Sequence, residues 1–167
     1  MRKFLALGTV LLFCACAKGL ALSEHEIARM VGKPFRSSVH LMWGGCVYEG
    51  NLSRDAGGVV MLTVTSEDLH HPVTMHSAVG STSLEQGRLS IVLAKDAMPG
   101  GNAASAIADA LSELAKAECH TKGGHQMVSN GKSKLLLCQN GSFSSLEMQR
   151  GKVDFLAFEF LRFPAAV

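Results

Sequence analysis

The C-terminal third of the chain is punctuated by Asn130-Gly131, Asn140-Gly141 and Arg150-Gly151, with β-prone segments between them. An Asn-Gly link tolerates positive φ at both residues and twists as paired strands do, so it is the strongest short signal for an antiparallel hairpin. The spacing predicts a meander of strands over His125 to Ser129, Lys132 to Gln139, Ser142 to Gln149 and Lys152 to Phe163. The last is apolar at adjacent positions from Val153 to Phe163. A strand covered on both faces reads that way, which predicts a central place in the sheet.

Upstream, Leu22-Ser23-Glu24-His25-Glu26-Ile27 predicts a helix start in which Ser23 caps the amide of Glu26, Glu26 reaches back and Leu22 staples to Ile27. Ile27, Met30 and Val31 share one face, and Gly32 with Pro34 ends the helix. Ser38 to Tyr48 predicts a strand bulged or bent at Gly44-Gly45, and Arg54 to Gly58 a turn. Val59 to Thr65, Val73 to Val79 and Arg88 to Lys95 predict further strands. Ala103 to Glu118 predicts a second helix, alanine-rich and carrying Ile107, Ala110, Leu111 and Leu114 on one stripe. The expected fold is α+β, two helices packed on a mainly antiparallel sheet. Halves 22–98 and 99–167 would each supply a helix and about four strands, as in a tandem duplication.

The N-terminus predicts export. Arg2 and Lys3 precede an apolar run from Phe4 to Phe13 and the small residues up to Ala21, the order of a secretory signal peptide over residues 1–21, leaving an exported domain over 22–167. Two modes of processing fit: cleavage after Ala21, giving a soluble protein, or lipidation of Cys16 as in a bacterial lipoprotein. Loss of Arg2, Lys3 and Lys18 lowers Lys+Arg from 16 to 13 against 14 Asp+Glu, and the formal charge from +2 to −1. That argues against nucleic acid as a partner. A composition of 47% apolar and 18% charged residues also excludes a disordered chain.

Ser23-x-x-Glu26-Ile27-x-x-x-Val31-Gly32-Lys33-Pro34 resembles the short helix ending in Gly-x-Pro of several small exported lipoproteins and inhibitor domains of the bacterial envelope. The likeness spans about a dozen residues, names no family and implies an envelope accessory protein without carrying over any functional residue.

Three cysteines remain after the leader: Cys46, Cys119 and Cys138. In an oxidising compartment one disulfide and one thiol are expected. Cys119–Cys138 would tie the end of the long helix to the sheet and leave Cys46 as a buried small hydrophobe beside Trp43 and Tyr48; Cys46–Cys138 is the alternative pairing. His120, His125 and Met127 are candidate ligands for copper or zinc. His70 and His76, six residues apart on an extended chain, stand about 20 Å apart and share no ion. The chain has no G-x-S-x-G, H-E-x-x-H or Walker pattern, so no catalytic or cofactor-binding residue is expected and no cofactor is assigned. The leading expectation is a non-enzymatic envelope protein, accessory or inhibitor-like, binding another macromolecule, with Trp43 and Tyr48 as candidate interface anchors. Contact with a membrane would come only through a lipid on Cys16. The alternative is a periplasmic metal-binding protein using His120, His125 and Met127.

Overall fold

The computed structural model describes residues 23–66, 69–95, 97, 101–122 and 125–161. The leader, Cys16, the staple residue Leu22 and the last residues of the final predicted strand lie outside them. Helix α1 (Glu24–Val31) begins with the expected capping box. Ser23 N donates to Glu26 Oε2 at 2.8 Å and Glu26 N donates to Ser23 Oγ at 3.3 Å. Its apolar face, Ile27, Met30 and Val31, is buried. Helix α2 (Ala103–Leu114) buries Ile107, Ala110, Leu111 and Leu114 as the stripe predicts. It stops four residues short of the expected end because Ala115–Ala117 turn the chain into the first strand of the second half, which takes Glu118.

Among the described residues eleven strands form one antiparallel sheet. The first half gives β1 (Phe35–Trp43), β2 (Cys46–Arg54), β3 (Val60–Thr65), β4 (Val73–Ala78), β5 (Ser81–Gln86) and β6 (Leu89–Ala94). The second gives β7 (Glu118–Lys122), β8 (His125–Ser129), β9 (Lys134–Leu137), β10 (Phe143–Met148) and β11 (Gly151–Phe160). Their spatial order is β6-β5-β4-β3-β2-β1-β11-β10-β9-β8-β7, so the two meanders meet at β1 and β11 and end at β6 and β7. Both halves run helix then meander, but with six strands and five instead of about four each. A tandem duplication is not shown by this arrangement.

Three local readings change. Gly44 and Gly45 have φ of +59° and +86° and form a two-residue turn between β1 and β2, not a bulge within one strand. On β11 the pairing passes from Val39↔Phe155 to Ser38↔Ala157, leaving Leu156 as an extra residue. That bulge reverses the inward parity. Val153 and Phe155 face inward before it, and Phe158 and Phe160 after it, so β11 is central without being apolar on both faces. Gly151 is the first residue of β11, not a turn residue: a Cβ there would strike the carbonyl of Met42 and the ring of Trp43.

The sheet curls around the helices. α2 packs on β3 and β4 and also on β10, which lie on opposite sides of the β1–β11 seam. Near the seam Phe35, Phe143, Phe155, Phe158 and Phe160 make edge-to-face, tilted and stacked contacts at 4.6–6.1 Å between ring centres. Each helix is also pinned by polar groups. Arg54 of β2 donates to the carbonyl of Val31 at the end of α1, where carbonyls lack an intrahelical partner. Asn102 caps α2, accepting from Ala104 N at 2.8 Å, while its amide nitrogen donates to Thr82 of β5. Thr82 Oγ1 donates to the carbonyl of His76 at 2.8 Å and accepts from Ser105 Oγ at 3.3 Å. All three side chains are buried.

Candidate functional site

The predicted disulfide does not form. Cys119 on β7 is level with Val128, which is level with Leu135, and Cys138 lies three residues beyond Leu135. Two strand spacings and three residue rises put the Cα atoms about 14 Å apart, about twice the span a disulfide bridges. The two side chains also lie on opposite faces, because Cys119 shares the inner face with Val128 while Cys138 follows the inward Leu137. Cys119–Cys138 is therefore corrected to two separate thiols.

Cys46 is exposed, which corrects its expected burial. The tight Gly44-Gly45 turn places it at the hairpin end opposite Trp43. A hydrogen bond with the Cys46 thiol, reinforced by partial burial, lifts the phenol of Tyr48 above its ordinary pKa. Trp43 and Tyr48 lie on the inner face and pack against the core, Trp43 across Gly151 and beside Gly101. An aromatic lying this way is held by its own sheet and makes a poor anchor for a partner.

Among the described residues an exposed apolar surface lies elsewhere, on β6. This edge strand reads Leu-Ser-Ile-Val-Leu-Ala, and Leu89, Ile91 and Val92 are 54%, 40% and 71% exposed. Pairing with β5 sets Leu89, Ile91 and Leu93 opposite Gln86, Leu84 and Thr82, continuing the inner face outward. α2 rests mainly on β3 and β4, so this end of the inner face has less helix over it. Among the described residues no strand pairs with the far side of β6. Arg88, exposed, stands at its entrance, whereas Lys95 at its exit is held by Asp109 of α2 at 2.5 Å. Sequence reasoning missed this site because Arg88 to Lys95 reads identically as a covered strand and as an open edge.

The metal candidates come together on the opposite wing. His120 of β7 lies directly across from Met127 of β8, and His125 is two residues further along the same outer face. His125 and Met127 line an open depression of about 670 Å³ together with Lys134, Leu136, Cys138, Asn140 and Ser144. Among the described residues no three His, Cys, Asp or Glu side chains converge on one point. That disfavours a zinc site of the usual nitrogen, oxygen and thiolate donors. At the start of α2 Asn102 takes the amides of Ala104 and Ser105. Among the described residues no helix is long and apolar enough to cross a membrane.

No protein-family model matches the chain. No curated protein matches it either. Twenty-one chains of solved structures match. One is the crystal structure of a LolA superfamily protein from Nitrosomonas europaea, 7% identical, with a TM-score of 0.44, over 86% of this chain and 96% of that one.

Proposed function

We propose that the protein is an exported, non-enzymatic envelope protein that binds a partner protein by taking an extended apolar segment of it as a twelfth strand beside β6. The observation that carries this reading is the coincidence, on one strand, of a backbone edge unpaired among the described residues with exposed Leu89, Ile91 and Val92. An edge of this kind is a template for another strand, and proteins that do not use one usually blunt it with charge, proline or a covering segment. β6 has neither charge nor proline within its six residues, and among the described residues no strand covers its edge. Main-chain bonds would supply about 0.5–1.5 kcal/mol each, and each covered Leu or Ile about 1.5–3 kcal/mol. Association costs of the order of 4–15 kcal/mol offset much of that, so the contact is reversible. Arg88 at the strand entrance favours an acidic residue flanking the partner's apolar stretch.

Export rests on the basic, apolar and small-residue order of residues 1–21, with soluble release after Ala21 and lipid attachment at Cys16 as its two forms. The test places a photo-crosslinking residue at Val92 and, separately, at His120 on the other edge, in intact cell envelopes. An adduct from Val92, absent from His120 and lost when Ile91→Lys is added, supports strand addition at β6. Equal adducts from both positions, or a Val92 adduct indifferent to Ile91→Lys, would overturn it. An adduct at twice the mass of the chain would replace the partner with a second copy.

A further inference from the structure

We propose that the outer face of β8 and the β9–β10 turn hold a site for a soft monovalent cation of the Cu(I) type, with His125, Met127 and Cys138 as its ligands. The proposal does not rest on the strand-addition reading, since the two sites occupy opposite wings of the sheet. Its basis is the register. Gln126 pairs with Leu137 at the end of the ladder, and continuing that register one step sets His125 of β8 opposite Cys138, the residue just after β9, on the outer surface. Side chains directly opposite in such a ladder have Cβ atoms about 4.5–5.5 Å apart, and diagonal neighbours such as Met127 and Cys138 about 7–8 Å. Two residues along one strand, as for His125 and Met127, span about 6.8 Å. A thiolate, an imidazole and a thioether on stems of those lengths can reach one ion between them. All three line the same depression.

The chemistry of the donors selects the ion. Thiolate and thioether sulfur favour Cu(I) over hard cations, and a thioether is not among the nitrogen, oxygen and thiolate donors that zinc usually takes. The thiol is held for this task. Cys138 N donates to the Ser142 carbonyl at 2.9 Å, and the Cys138 carbonyl accepts from Gly141 N at 2.9 Å, so the turn fixes the residue on both sides. The nearby cation Lys134 is neutralised by Glu147 at 3.1 Å. Binding releases the Cys138 proton to solvent, and no electron is transferred.

The exported protein, purified without air and with its thiols reduced, is titrated with Cu(I) against bathocuproine disulfonate. The expected result is capture of one equivalent, with a thiolate-to-copper absorption band in the near ultraviolet. Cys138→Ser should remove that band and weaken capture by more than about 100-fold, and His125→Ala or Met127→Leu by about 10-fold or more. His120→Ala and Cys46→Ser should leave it unchanged. Because the three ligands sit on the outer surface and in a turn, the variants should melt as the parent does, and a melting control separates ligand loss from unfolding. Failure to compete with the chelator, unchanged capture in Cys138→Ser, or loss of capture in Cys46→Ser would each overturn the site. Adducts formed through Val92 are indifferent to all of these outcomes, so the two readings fail separately.

Discussion

The two edges of the sheet are built to opposite rules. β7 reads Glu-Cys-His-Thr-Lys and α1 packs against it, so its edge carries charge and its inner side a helix. β6 has no charged residue in six and leaves Leu89 and Ile91 open on the inner side and Val92 on the outer. Charge on an edge costs a would-be partner strand the desolvation of that charge, which is how edges are kept single. A chain under selection only for solubility would treat both edges alike. The asymmetry is the physical reason for placing the partner at β6.

Exchanging the two rules gives the largest expected effect. Leu89→Lys with Ile91→Lys should abolish the Val92 adduct, a loss worth at least about 2 kcal/mol if these side chains are the anchors. Stability should change little, because both residues already face solvent and exposed substitutions usually stay within about 0.5 kcal/mol. Conversely, Glu118→Val with His120→Val should turn β7 into a second open edge. Sedimentation would then show concentration-dependent association absent from the parent. A double β7 variant that stays monomeric would mean that charge is not what keeps that edge single.

Next in size is the anchor that holds β5, and through it β6, to the helix layer. Thr82 is the shared partner of Asn102 and Ser105 and donates to the His76 carbonyl. Thr82→Val keeps the shape and leaves those buried groups unmatched, at a cost of about 1–3 kcal/mol, read as a lower urea midpoint. The matching contact on the β7 wing, Asn130 Nδ2 to Glu113 Oε2 at 2.9 Å, is exposed. Asn130→Asp, which loses the donor there, should cost less than about 1 kcal/mol. Equal losses would show that the two wings are held alike.

How much of this could be read in the sequence follows from what each feature depends on. The capping box at Ser23 and Glu26 and the stripes Ile27-Met30-Val31 and Ile107-Leu111-Leu114 depend only on residues a turn or two apart, and they were legible. β5 was not, because Ser81–Gln86 turns only Thr82, Leu84 and Gln86 inward, too weak an alternation to stand out. β7 was hidden by following α2 so closely. On β11 the bulge at Leu156 imitates a strand apolar on both faces, and no local rule distinguishes the two. Of the candidate sites, His125 and Met127 were named from residue type alone. From the sequence Cys138 reads as a disulfide partner, because its position opposite His125 exists only once the β8–β9 register is known. The open edge at β6 is a property of the sheet order, which no stretch of the chain encodes by itself.

The smallest expected effect concerns the helix that covers β7. The carboxylate of Glu26 accepts from the backbone and the hydroxyl of Ser23, and these bonds hold its pKa below the ordinary carboxylate value. A carboxylate depressed in the folded state stabilises it above its unfolded pKa, and that contribution is lost as the pH falls through the lowered value. Amide exchange over α1 should therefore quicken between about pH 5 and about pH 3, around and below the ordinary glutamate pKa. The Glu26→Gln variant should exchange faster than the parent at neutral pH and lose most of the pH dependence. β6 has no carboxylate of its own, so its amides, corrected for intrinsic exchange, should show no corresponding step. A step of the same size at β6 would mean that the cap on α1 stabilises the sheet as a whole, and that its two edges open together.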